Sequence, residues 1–231
     1  NVSMETCMTY TNGAGGLQTL FEPTWPGGTD EVPDDSIDII PIAVIMQLTV
    51  KPVLPYATLK QVFSYAVNQI NQDPDLLPAS KKLSLLLFDD EGVPSQAIQL
   101  SVPLPSFGVV GVIGGVTSSQ SITTQNVVSR YGIPQISPGS TSPDLSSKTQ
   151  YPTFMRTCPP DDIQATVEIG LANIWKWTDI GLIFSSDPYG VGLQAIFSQR
   201  AAANNINLIS QISVDPTVSD HTAALTTMRD A

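Results

Sequence analysis

The sequence is poor in charge, cysteine and histidine. Charged residues make up 13% of the 231-residue chain, with 10 Lys or Arg against 21 Asp or Glu. The formal net charge of -11 argues against a nucleic-acid partner, whose phosphates need cations. It argues equally against electrostatic docking on anionic lipid. No apolar run approaches the length of a membrane-spanning helix. The single histidine, His221, stands beside Asp220 near the chain end, and a lone imidazole is more often a surface residue than a general base. No serine sits in a G-x-S-x-G elbow, no Cys/His pair has metal-ligand spacing, and no P-loop or G-x-G-x-x-G occurs. Nothing in the sequence points to an enzyme, a metal or a cofactor.

There are two cysteines, Cys7 and Cys158. A bridge between them is permitted in an oxidising compartment and would contribute roughly 4–5 kcal/mol in the chain-entropy model. The alternative is two unrelated thiols. Asn1-Val2-Ser3 is a glycosylation sequon, a triplet that also arises by chance. No leader is visible and the first residue is Asn1, as a processed mature start or a late start would both give.

Hydrophobic residues, at 42%, are ample for a folded core. Residues 1–36 read as an irregular arm, broken by Gly13, Gly15, Gly16, Pro23, Pro26 and Pro33 and ending in acidic residues. From there strands and helices alternate. Strands are expected at Ile39–Leu48, Leu83–Phe88, Val109–Ile113, Ile133–Ile136, Ile180–Phe184 and Ile206–Val214. Helices are expected from Leu54 to Asn71, with Leu59, Val62, Phe63, Ala66, Val67 and Ile70 on one face, and from Pro94 to Leu100. Further helices run from Thr117 to about Tyr131, from Asp161 to about Trp175, and from Pro188 to Asn204 behind the N-cap Asp187. A last one begins near Ala223. The alternation makes an α/β fold: a parallel sheet with helices on both faces.

The segment from Gly108 to Asp161 organises the chain. Gly114 and Gly115 follow a buried strand and allow a sharp turn and a close approach to a ligand. Thr117, Ser118 and Ser119 then open a helix, whose free N–H groups favour a carboxylate or phosphate. A second hydroxyl-rich loop, Ser137 to Ser142, follows the next strand. In open α/β sheets ligands sit at the carboxyl ends of strands, so both loops would face one crevice. Either loop alone would be ordinary helix capping. Asp89, Asp90 and Glu91 end a strand at the crevice edge and read as a solvated strand end.

These residues resemble a known family. Gly111-Val112-Ile113-Gly114, Ser118-Ser119, Ile133-Pro134-Gln135-Ile136, Ser140-Thr141-Ser142, Asp144-Leu145-Ser146 and Phe154-Met155-Arg156 are similar to the type I periplasmic-binding-protein fold. The variant they resemble is that of family C G-protein-coupled receptor and natriuretic-peptide-type receptor ectodomains. Ile70-Asn71-Gln72-Asp73-Pro74 and Asp187-Pro188-Tyr189-Gly190 fit the same pattern. The resemblance implies a first lobe over residues 37–174 and the start of a second over 175–231. The family's domain is longer, so further C-terminal sequence, or a neighbouring subunit as in a homo-oligomer, is expected to complete it.

The resemblance also implies a function: an extracellular or cell-surface, non-catalytic Venus-flytrap receptor region that closes two lobes on an α-amino acid. In that family a hydroxyl at the first helix start holds the ligand carboxylate, which matches Ser118, with Ser119 beside it. The next loop contributes backbone and a threonine, matching Gly139, Ser140 and Thr141, although Gly139 stands where many relatives carry a hydroxyl. A carboxylate opening the next helix holds the ammonium, matching Asp161, and an aromatic of the second lobe, matching Tyr189, closes over it. Two other readings stand beside this one: a structural or assembly subunit that has borrowed the fold, and a solute-binding protein feeding a transporter.

Overall fold

The computed structural model describes residues 37–49 and 56–230. The acidic arm, the sequon at Asn1 and Cys7 lie outside them. Five parallel strands form the main sheet: β1 (Asp38–Met46), β2 (Lys81–Asp89), β3 (Gly111–Gly114), β4 (Gln135–Ser137) and β5 (Phe154–Arg156), in the order β2-β1-β3-β4-β5. Helices α1 (Tyr56–Gln72), α2 (Pro94–Ser101) and α3 (Ser118–Val128) connect them. The chain then continues through α4 (Asp161–Trp175), β6 (Asp179–Ser185), α5 (Pro188–Ala203), β7 (Asn207–Val214) and α6 (Thr222–Arg229). Strands β6 and β7 pair in parallel as a separate sheet. The expected α/β architecture, a parallel sheet covered on both faces, is the one observed.

Strand β1 is central because both its faces are apolar. Ala43 and Ile45 point into one core with Leu86, Phe88, Val112 and Leu104, while Val44 and Met46 point into the other with Leu85, Leu87, Leu59 and Val67. A continuous apolar run with this alternation is the mark of a strand buried between helix layers. Pro41 is tolerated in it because β3 pairs with β1 only from Ile42 onward, so its missing N–H falls outside that ladder.

Helix α1 buries a narrower stripe than its spacing suggested. Leu59 and Val67 are buried and Phe63 packs beside them, whereas Val62 is 55% exposed and Ala66 is also exposed. The stripe ends on Asn71, a buried side chain that pairs with both backbone groups of Leu83: Leu83 N donates to Oδ1 (2.7 Å) and Nδ2 donates to Leu83 O (3.0 Å). It docks the end of α1 on β2 without leaving a buried amide unsatisfied.

Strand β5 did not stand out in the sequence, because three residues show no periodicity. Its Phe154 is fully buried, and it pairs with β4. Helix α4 packs with the second sheet and its helix. Ala165, Ile169 and Ala172 pack with Phe197, Ala201 and Ile206, and with Ile180, Leu182 and Leu208 from the strands. The opposite side of α4 carries Ile163, Val167, Leu171 and Ile174, all exposed. Strands β6 and β7 alternate between exposed and half-buried residues, with none fully buried.

Candidate functional site

The candidate site is built on the turn after β3. Gly114 and Gly115 have φ of 132° and 66°. Their freedom serves the chain's own packing. A Cβ on Gly114 would lie 1.9 Å from Ile45 O, and one on Gly115 would lie 2.2 Å from Ser121 Oγ. The Gly115 N–H donates to Ile45 O (3.0 Å), which ties the turn to the end of β1.

The Gly115 carbonyl gathers three hydroxyls: Ser137 Oγ (2.6 Å), Ser140 Oγ (3.0 Å) and Ser121 Oγ (3.1 Å). Two lone pairs cannot serve three donors fully, and Ser140 Oγ lies 2.7 Å from Ser121 Oγ, where one proton can go instead. Gln135 Nε2 donates to Gly114 O (3.0 Å). Every one of these side chains is buried. The two hydroxyl-rich loops thus meet, as their positions after β3 and β4 require. Many of the hydroxyls, however, stitch the loops together and do not face solvent.

Helix α3 starts with a capping box. Thr117 Oγ1 accepts from Gln120 N (3.4 Å) and Gln120 Oε1 accepts from Thr117 N (2.9 Å). The N–H groups of Ser118 and Ser119 precede the first intrahelical bond, so they are donors without a place in the helix. Ser118 is buried, and its Oγ accepts from Ser142 N (3.1 Å). Ser119 is half-buried.

The second loop is held from below by Arg156 on β5. Its Nη1 donates to Ser140 O (3.1 Å) and Ser142 O (2.9 Å), and its Nη2 donates to Ser146 Oγ. Arg156 stood in the sequence only as part of a motif; the open carbonyls of a loop 14–16 residues upstream are what give it a task. Gly139 is exposed, and a Cβ there would lie 2.7 Å from Val116 O, so this loop requires glycine. Thr141 is half-buried and its carbonyl accepts from Asp161 N (3.0 Å).

Asp161 opens α4 and is buried, 2% exposed, with Oδ2 unpartnered among the described residues. Burial pushes its pKa up, while the Thr141 hydroxyl and the Arg156 charge hold it down. Ser142 Oγ is likewise buried and unpartnered. Tyr189 lies in the first turn of α5, 37% exposed, behind the cap in which Asp187 Oδ1 accepts from Gly190 N (3.0 Å). That helix meets the serine loop at Gly192, where a Cβ would lie 3.0 Å from both Ser142 Oγ and Pro143 Cδ. Ser118, Ser140, Thr141 and Asp161 are thus joined by direct bonds through one loop, and Tyr189 sits on the helix that packs against it. A separate groove of about 250 Å³ lies between α4 and α5, lined by Thr166, Asn173, Arg200 and Asn204, among others.

The acidic end of β2 differs from expectation. Asp89 and Asp90 are not solvated; they are 7% and 0% exposed. Asp89 Oδ1 accepts from Leu48 N (2.9 Å) and Glu91 N (2.9 Å), and its Oδ2 from Thr49 Oγ1. Asp90 Oδ1 accepts from Gln120 Nε2 (2.9 Å) and Gly92 N (3.0 Å). The carboxylates are drawn inward because β1 ends and α3 begins beside them, offering the donors Leu48 N and Gln120 Nε2.

Cys158 forms no disulfide with any described residue. Its Sγ lies 3.7 Å from Ser140 O. Among the described residues no group of three or more His, Cys, Asp or Glu could hold a metal, and no helix is long and apolar enough to cross a membrane.

Residues 58–230 match the family described as "Receptor family ligand binding region". A metabotropic glutamate receptor of Drosophila melanogaster is 30% identical over 167 residues, which are 61% of this chain and 17% of that receptor. A probable metabotropic glutamate receptor of Caenorhabditis elegans is 32% identical over 153 residues, 54% of this chain and 15% of the relative. Human metabotropic glutamate receptor 8 is 32% identical over 158 residues, 58% of this chain and 17% of the relative. The chain thus matches less than a fifth of the length of each of these relatives. The match over most of its length and its parallel α/β sheets together place the chain in the receptor family ligand binding region, with a type I periplasmic-binding-protein-like fold.

Proposed function

We propose that this chain is part of an extracellular, non-catalytic receptor region that binds a small α-amino-acid-like molecule between two lobes. The observation that carries the reading is Asp161, a buried carboxylate with one oxygen unpartnered at the start of α4, bonded through its own N–H to the serine loop. A ligand ammonium there would supply the missing partner and favour the charged form of the carboxyl. The ligand carboxylate would take the N–H groups of Ser118 and Ser119 at the positive end of α3. Gly139, Ser140 and Thr141 would line the floor, with the exposed ring of Tyr189 over the cation. The names of the relatives favour an amino acid as ligand.

The test is calorimetry of the full receptor polypeptide against a panel of amino acids, with and without Asp161→Ala. Binding by at least one amino acid is expected, weakened by on the order of 2–5 kcal/mol in the variant. No heat with any of them, or equal affinity in the variant, would overturn the reading. A second reading, a structural subunit on a borrowed fold, draws on one observation. Ser118, Ser121, Ser137 and Ser140 already bond within the protein.

A further inference from the structure

Asp90 has no part in the binding scheme above, yet it is a fully buried carboxyl. Its oxygens are treated unequally. Oδ1 accepts from Gln120 Nε2 and Gly92 N, while Oδ2 is buried without a partner among the described residues. The charged neighbours are both acidic, Asp89 before it on β2 and Glu91 after it. From β1 it meets Met46, whose carbonyl accepts from Asp90 N, and Gln47 lies against the following Gly92. The turn into α2 presents Val93 and Gln96, and α3 presents Gln120. None of these ionises, and none is a cation.

Gln120 carries the consequence to α3. One end of its amide rests on Asp90, and the other accepts from Thr117 N as half of the capping box. Asp90 is therefore the outer anchor of the helix start that bears Ser118 and Ser119. A neutral acid suits that position, with its proton on Oδ2 and both bonds to Oδ1 intact. Ionisation strengthens the two bonds to Oδ1 but leaves a charged, buried Oδ2 without a partner among the described residues, a state that draws in water or opens the contact.

We propose that Asp90 is a proton-controlled strut: protonated, it holds the start of α3 against β2 through Gln120, and ionised, it loosens that seam. As a means of regulating ligand binding, this rests on the reading of Ser118 and Ser119 given above. Burial is the main reason that its pKa is raised from 3.8 to about 6; the Gly92 N–H opposes the rise and Asp89 adds to it. The folded chain thus holds this proton more tightly than the unfolded chain. The stability it lends is full below about pH 3.8 and is lost as pH rises through about 6.

Hydrogen exchange read by mass spectrometry, corrected for intrinsic rates, tests this in the receptor polypeptide without any ligand. Peptides covering residues 117–121 should lose protection between pH 5 and pH 7.5, by up to about tenfold, the share of the rise from 3.8 to about 6 that falls inside this pH window. Asp90→Asn should abolish that difference, since an amide does not ionise. Gln120→Met, which keeps the bulk and removes the link, should abolish it too and carries the test if the first variant does not fold. Protection that is the same at both pH values in the unmodified protein, or a difference that survives in either variant, would overturn the proposal. Because no amino acid is present, this outcome is separate from success or failure of the ligand reading.

Discussion

Replacing Gly114 by alanine is the sharpest test of how the site is built, with Gly132→Ala as its control. Both glycines have positive φ, 132° and 69°. At Gly132 a Cβ would meet nothing within 4 Å, so alanine there bears only the backbone penalty, about 1–2 kcal/mol. At Gly114 the same Cβ would lie 1.9 Å from Ile45 O and 2.8 Å from Ile45 C. An ordinary carbon–oxygen contact is about 3.3 Å or longer, so β3 would have to withdraw from β1 by more than about 1 Å. That displacement breaks the bond from Gly115 N to Ile45 O and loosens a ladder that pairs Ile42, Ala43, Val44 and Ile45 with β3. With the backbone term and the disturbed core added, the expected cost is more than about 4 kcal/mol, a large part of a typical domain's total stability. Urea unfolding followed by far-UV circular dichroism compares the two variants. Gly132→Ala should shift the midpoint modestly, and Gly114→Ala should leave little or no folded protein. A Gly114→Ala protein within about 1 kcal/mol of the control would refute the claim that this turn is tight because β1 lies against it.

Arg156→Ala should cost about 2–3 kcal/mol through lost charge-assisted bonds to the carbonyls of Ser140 and Ser142, with faster exchange at residues 138–146. Arg156→Lys should not restore that protection, because an ammonium lacks the planar fork; full protection in the lysine variant would contradict the bridging role. A bridge between Cys158 and Cys7 implies that a thiol reagent labels neither cysteine until the protein is reduced, and labelling of Cys158 in the native protein would rule the bridge out.

Much of the architecture was readable from local chemistry. The apolar run around Ala43–Met46 and the box Thr117–Gln120 act over a few residues, so the chain itself announces them. The cap Asp187 followed by Pro188 is of the same kind. The placing of two hydroxyl loops after β3 and β4 was also legible, since a parallel sheet puts such loops at one edge.

What each hydroxyl or carboxylate does there was not legible, because its partner lies far along the chain. Ser140 spends its hydroxyl on Gly115, Ser118 accepts from Ser142, and Asp90 meets Gln120 across 30 residues. A serine in solvent and a serine bonded to a carbonyl look the same in sequence. So do a solvated aspartate and one drawn under a helix start. Side-chain chemistry and periodicity determined which segments became strands and helices and where a crevice could form. Tertiary packing alone decided which polar groups remain open to a ligand, because that depends on which donors and acceptors the folded chain has already matched.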